Sequence, residues 1–225
     1  MVPGFSKRVN PLMQVSANGL KLIQAWEGIE DGNPATVDLE PYICPAKVYT
    51  VGWGHVLTTP AGAQIDVDVF KPTRARQLAA EAMIRTFGKP AITMAEAEAL
   101  LRRDVAKFER YVETAIGANN ATPAQFDAMV SFTFNCGPAN FNASSIKRLH
   151  LQGKRTVGDV SLSTMCRESK AKAATNTIPR AFCAWSNANK KWMLGLFRRR
   201  VSELLIYGGH DAATALRTAQ NFKGC

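Results

Sequence analysis

Three residues early in the chain have types and spacing that could do chemistry: Glu27, Cys44 and Thr50. Leu20, Ile23 and Glu27 fall at helical spacing on one face. That places a carboxyl at the end of an apolar stripe and at the negative end of a helix dipole. Both surroundings favour the protonated form, which a general acid needs. A solvated glutamate at a helix end is the plain alternative. Cys44 and Thr50 belong to the stretch CPAKVYTVGWGH, which reads as a turn running into a strand. If Pro45, Ala46 and Lys47 form the turn, Cys44 pairs with Val48. Alternation then puts Thr50 on the same face as both. A thiol and a hydroxyl on one face can hold a single water. Taken alone, Cys44 also reads as a small buried hydrophobe and Thr50 as an ordinary strand residue.

Gly52 and Gly54 follow on that face and would leave room for a ligand above the strand. His55 reads as a structural hydrogen-bonding residue, pairing with an acidic partner that anchors the β region. Lys47, if it points inward, would help ionise the Cys44 thiol; an ordinary free thiol is only a few per cent thiolate at neutral pH.

The elements around these residues are mostly helical. Residues 1–15 read as a loose arm. Ser16 can cap a helix that runs to Trp26 or Glu27, and Gly28 can end it. Residues 28–41, rich in turn formers and acids, read as a loop. Residues 42–66 form a small β region. Within 67–92, RARQLAAEAMIRTFG is helical in character. Thr93 and Glu96 form a capping box that opens the strongest helix, to about Ile116. Its apolar face is Ala97, Leu100, Leu101, Val105, Phe108 and Val112. Thr122 and Gln125 form a second box, with Pro123 at the first helical position. That helix carries Phe126, Met129, Val130 and Phe134 and ends at Gly137-Pro138. A short helix is expected from Ser144 to about Leu151. Two more are expected at Pro179–Trp185 and Leu194–Tyr207. Residues 152–178 are polar and weakly periodic, an extended insertion.

The 225 residues suffice for one sizeable domain or two lobes sharing a core, and 46% hydrophobic with 20% charged is an ordinary globular composition. No apolar run is long enough to cross a membrane. The opening MVPGFSKRVNPLMQ carries basic residues with no apolar core behind them, so no secretory signal is expected. A net charge of +10 favours anionic partners: nucleic acid, a membrane face or an acidic wall polymer. Zinc-finger spacing, nucleotide-stacking signatures and Gly-rich phosphate loops are absent, so a nucleic-acid role rests on charge alone. The five cysteines include no CxxC pair, which argues against structural zinc. Without a signal, reduced thiols are the default. A Cys166–Cys183 disulfide is compatible with the sequence and not required by it.

The order Ser16-Ala-Asn-Gly-Leu-Lys-Leu-Ile-x-x-Trp-Glu-Gly, then Tyr42-x-Cys-Pro-Ala-x-x-Tyr-Thr-Val-Gly-Trp-Gly-His, resembles the phage-type lysozymes, or endolysins, of glycoside hydrolase family 24. Gln125-Phe-Asp-Ala-Met-Val-Ser-Phe-Thr-Phe-Asn-Cys-Gly137 resembles the family's middle helix. Asn140-Phe-Asn-Ala-Ser-Ser-Ile resembles the segment after it, and Gly195-Leu-Phe-Arg-Arg-Arg-Val-Ser-Glu203 its C-terminal signature. The resemblance keeps this order over most of residues 16–208. It implies an α+β, mostly helical, lysozyme-like two-lobe fold. A small β-hairpin lobe at about 42–66 would be joined through the helix at about 94–116 to a helical lobe at about 122–210, with the glycan held in the cleft between lobes.

The family's catalytic Glu, Asp or Cys, and Thr fall on Glu27, Cys44 and Thr50. Glu27 would protonate the leaving glycosidic oxygen between N-acetylmuramic acid and N-acetylglucosamine in peptidoglycan. Cys44 and Thr50 would hold the attacking water, as in inverting glycosidases. Activity would then fall on the alkaline side as Glu27 ionises. The Glu27-to-Cys44 interval is longer than the family's usual one, so Asp31, Asp38 or Glu40 could supply a carboxylate instead. Asn135 and Arg198 would contact substrate, and one arginine of the 198–200 run would approach Glu27; the alternative is that all three arginines are solvated. No metal or cofactor is implied. The expected partner is bacterial peptidoglycan, met by a monomer that waits in the host cytoplasm for release through a holin-type pore. An inactive wall binder and a lytic transglycosylase are the rival readings, the latter needing an acid but no water-handling pair.

Overall fold

The computed structural model describes residues 12–159 and 161–225, so the expected arm lies mostly outside the described residues. The fold is α+β and mostly helical, with a small antiparallel three-stranded sheet near the N-terminus. Internal contacts divide it into two compact units. One is Leu20–Ala106; the other is Lys107–Cys225 together with the described residues up to Gly19.

In the first unit, α1 (Ala17–Glu27) ends where its backbone turns at Gly28, whose N–H bonds the Gln24 carbonyl at 3.1 Å. Strands β1 (Tyr42–Ile43), β2 (Tyr49–Val51) and β3 (His55–Val56) pair in sequence order, with Tyr42 opposite Thr50 and Ile43 opposite Tyr49. A one-turn helix α2 (Val67–Phe70), capped by Asp66, precedes α3 (Pro72–Phe87), which starts slightly earlier than its apolar pattern suggests because Pro72 occupies the first turn. The Thr93–Glu96 box forms: Glu96 accepts the Thr93 N–H at 2.8 Å and Thr93 Oγ1 accepts the Glu96 N–H at 3.2 Å. It opens α4 (Met94–Ile116). Tyr49, Val51, Leu57 and Ile65 from the β region bury against Leu78, Ala82 and Met83 of α3 and against Ala97 and Leu100 of α4. This packing seats the β region against α3 and α4.

The second unit is built on α5 (Pro123–Cys136) and α10 (Leu194–Tyr207), which pack together. Around them lie α6 (Pro138–Ala143), α7 (Ser145–Leu151), α8 (Leu162–Lys170), α9 (Ile178–Cys183) and α11 (Ala212–Asn221). A two-residue-strand hairpin, β4 (Asn187–Ala188) and β5 (Lys191–Trp192), precedes α10. Ser16 is tied to this unit: its N–H and hydroxyl both donate to Asp127, at 2.9 and 2.5 Å. Gly19 is required there, since a Cβ would come within 2.6 Å of the Asp127 side chain.

Several expectations are corrected. The last residues of the supposed arm are held: Val15 is buried and its N–H donates to Glu109 Oε1 at 2.8 Å. The 152–178 insertion is not all extended, because Ser161 caps α8 and Met165, Cys166 and Ser169 face inward. Cys166 does not pair with Cys183. It bonds Cys225, with Cα atoms 6.1 Å apart, so the reduced-thiol default fails for these two. Cys183 stays a free thiol whose burial pushes it up to about 12.

His150 gives this unit a predicted pH dependence. The imidazole is buried, with Nδ1 2.6 Å from the Tyr207 hydroxyl and Nε2 2.7 Å from the Asn120 carbonyl. A carbonyl only accepts, so Nε2 carries the hydrogen and Nδ1 takes the phenol's: the neutral tautomer. Burial lowers its pKa first, and the charge of Arg155 adds to that. The neutral form is thus favoured by folding. Its contribution is complete above the unfolded value of about 6.5 and is lost as pH falls from there toward the lowered folded value. Thermal melts should show a stability loss below about pH 6.5 that is smaller in His150→Gln. Equal slopes in the two proteins would refute the assignment.

Candidate active site

The hairpin turn forms at Cys44–Lys47. Cys44 N–H donates to the Val48 carbonyl at 3.0 Å, and Lys47 N–H returns to the Cys44 carbonyl at 2.8 Å. With Tyr42 opposite Thr50, alternation places Tyr42, Cys44, Val48 and Thr50 on one face and Ile43 and Tyr49 on the other. Thr50 is 2% exposed and Cys44 half-buried. The Thr50 hydroxyl donates a long, weak bond of 3.5 Å to the Tyr42 carbonyl and keeps its lone pairs for another donor. Glu27 is the last residue of α1 and is half-buried.

Lys47 does not serve the thiol. Its ammonium is exposed and pairs with Asp68 at 2.8 Å, which raises its pKa. Gly52 does not leave ligand space either. It sits at φ +62 in the β2–β3 turn, and a Cβ there would meet Ala97 Cβ at 3.2 Å, so its role is close packing on α4. Gly54, at φ +80, does face open space. The acidic partner of His55 is Asp104 on α4, 2.7 Å from Nδ1.

The loop carboxylates divide by what they bond. Asp31 Oδ1 accepts the N–H groups of Asn33 and Glu40, at 3.0 and 2.9 Å, and Glu40 Oε1 accepts Asn33 Nδ2 at 3.2 Å. Both thus close the loop through one carboxylate oxygen each. Asp38 contributes its backbone carbonyl to Thr36 Oγ1. A carboxylate that sequence reasoning passed over, Glu30, contributes charge near Tyr42. The Tyr42 phenol is pushed up chiefly by burial, the Thr50 hydroxyl opposes this, and the charges of Glu30 and Cys44 add to it. No periodicity marks Glu30 in the sequence; only the folded loop brings it near.

In the other unit, Asn135 is exposed and accepts from Arg200 Nη2 at 2.8 Å. Arg198 gives Nε and Nη2 to the Phe222 carbonyl, at 2.9 and 2.7 Å, so its guanidinium is spent on the C-terminal segment. Arg199 and Arg200 are buried, which overturns the reading of a solvated arginine run. Among the described residues there is no cluster able to hold a metal, and no helix is long and apolar enough to cross a membrane.

Comparison with known proteins places the chain in a family. The phage lysozyme family model matches residues 33–159, more than half the chain, including Cys44, Thr50, His55 and Asn135 but not Glu27 or Arg198. The chain is 28% identical over 197 residues to the endolysin of Acyrthosiphon pisum secondary endosymbiont phage 1, covering 87% of this chain and 98% of that one. It is 27% identical over 211 residues to the endolysin of Bacillus phage PZA, covering 94% of this chain but only 61% of that relative's length. Among solved structures, the endolysin of Escherichia coli phage FAHEc1 superposes with a TM-score of 0.57 at 26% identity, over 88% of this chain and 94% of that one. A P22 lysozyme mutant superposes with a TM-score of 0.56 at 20% identity, over 87% and 98% of the two chains, a likeness of fold.

Proposed function

Because the chain belongs to the phage lysozyme family of glycoside hydrolases, we propose that it cleaves the β-1,4 bond between N-acetylmuramic acid and N-acetylglucosamine in bacterial peptidoglycan. The observation that carries this reading is the hairpin register, which puts Cys44 and Thr50 on one face. Glu27 protonates the leaving oxygen. A water held by Cys44 and Thr50 attacks the anomeric carbon from the opposite side of the sugar, which inverts its configuration. The adding water loses its proton to bulk solvent, and Glu27, ionised when its proton went to the leaving oxygen, is reprotonated from solvent. Lys47 is engaged by Asp68, so the thiol receives no ammonium from its own turn. We therefore give Cys44 the task of orienting the water rather than removing its proton.

The net charge of +10 draws the enzyme to the anionic wall. Release through a holin-type pore would bring it there from the host cytoplasm and cause lysis.

The products test this directly. Digestion of purified peptidoglycan should yield free reducing ends, formed first as the α-anomer by NMR. Fragments ending in 1,6-anhydro sugar, lighter by one water in mass spectra, would mean a lytic transglycosylase. Wall binding without any new ends would mean an inactive relative.

A further inference from the structure

The loop at 28–41 is built rather than slack. Besides the Asp31 and Glu40 bonds, Gly32 N–H reaches the Glu40 carbonyl at 3.2 Å, and Leu39 exchanges two backbone bonds with Ile92, at 2.7 and 3.0 Å. The closed loop lines one side of an open pocket of about 680 Å³. Ile43 and Tyr49 of the hairpin and Arg76 of α3 line it too. Ile43 and Tyr49 are direct cross-strand partners on the face opposite Cys44 and Thr50. Tyr42, which shares the face of Cys44 and Thr50, lines the pocket as well, but Cys44 and Thr50 themselves do not.

Its charges are of both signs. Asp31 and Glu40 come from the loop, with carboxylates oriented by the hydrogen bonds they accept. Arg76 comes from the helix, is exposed, and forms no ion pair with either acid among the described residues. Opposite charges lining one pocket without neutralising each other suit a ligand that carries both. The exposed side chain of Ile43 gives such a ligand an apolar surface to lie along.

We propose that this pocket binds the zwitterionic end of a short peptide, its ammonium on Asp31 and Glu40 and its carboxylate on Arg76. The assignment rests on the hydrolase reading in one respect: wall peptides carry free amino and carboxyl groups, so the enzyme would grip the peptide beside the glycan it cuts.

The probe is wall stem peptide, released from purified peptidoglycan by an amidase and titrated into the ¹⁵N-labelled full chain. Saturable NMR shifts are expected at Asp31, Glu40 and Tyr49. Arg76→Glu, an exposed substitution whose folding the same spectrum verifies, should weaken binding about fivefold. The same peptide with its amino groups acetylated and its carboxyls amidated should not bind. Absence of saturable shifts, or equal binding by Arg76→Glu or by the capped peptide, would overturn the proposal. Binding is read without turnover, so a wild type that bound peptide yet released no reducing ends would uphold this pocket and sink the hydrolase reading.

Discussion

Glu27→Gln should cut reducing-end release from peptidoglycan by about a hundred- to ten-thousandfold, the range that a positioned general acid supplies. The amide has nearly the carboxyl's shape but no proton of useful acidity. Glu27 closes α1 where Gly28 turns the chain. The backbone turn at Gly28, held by its bond to the Gln24 carbonyl, does not depend on the Glu27 side chain. A melting curve close to that of wild type would show that fold is retained. Retention of more than a tenth of the activity would remove Glu27 from the role of acid.

The largest stability effect is expected at Arg200. This side chain is fully buried and its guanidinium lies 5.0 Å from the centre of the Phe132 ring. It donates to Cys136 Sγ at 3.0 Å, Asn135 Oδ1 at 2.8 Å and Glu203 Oε1 at 3.1 Å. Glu203 is buried as well; burial pushes its carboxyl up, and Arg200 and then Arg199 oppose this. Ser131 Oγ donates to the same Oε1 at 2.9 Å, while Oε2 has no hydrogen-bond partner among the described residues. Arg200→Met would leave a buried carboxylate short of its main counter-charge, a change that costs about 3–5 kcal/mol when a buried pair is broken from one side. Arg200→Met with Glu203→Leu should recover much of that, since an apolar pair of similar volume replaces the ionic one. Denaturant melts would measure both. A loss below about 1 kcal/mol in the single variant, at the level of an exposed pair, would contradict the assignment.

Arg200 also shows what the sequence hid. Read as RRR, residues 198–200 look like a solvated basic run. On α10 they point in different directions: Arg198 to the Phe222 carbonyl, Arg199 and Arg200 into the interior beside Glu203. Single-residue spacing cannot reveal a partner more than sixty positions away on α5. The local devices were legible. Both capping boxes formed, Gly28 ended α1, and the turn at Pro45–Lys47 set the register that joins Cys44 to Thr50's face. These signals lie within a few residues of what they control.

The misses were weakly patterned segments. Helix α8 carries few apolar residues, and α11 buries only alanines, Ala212, Ala215 and Ala219. Their helical spacing and the caps Ser161 and Asp211 were the available clues. The Cys166–Cys225 bond was hidden because pairing among five cysteines depends on the fold. Glu30 was hidden for the same reason, sitting in a loop closed by Asp31 and Glu40 whose fold brings its charge near Tyr42.

The proposed mechanism turns on the water-handling pair, of which Cys44 is the less ordinary member. Purified peptidoglycan incubated with wild type, Cys44→Ala and Cys44→Asp, with reducing ends followed over time, tests it most directly. Wild type should release reducing ends, the alanine variant should lose about a hundredfold or more, and the aspartate variant, whose carboxylate can hold and deprotonate the water, should recover. Full activity in Cys44→Ala would contradict the mechanism and move the water to another group, with Glu30 the first to examine.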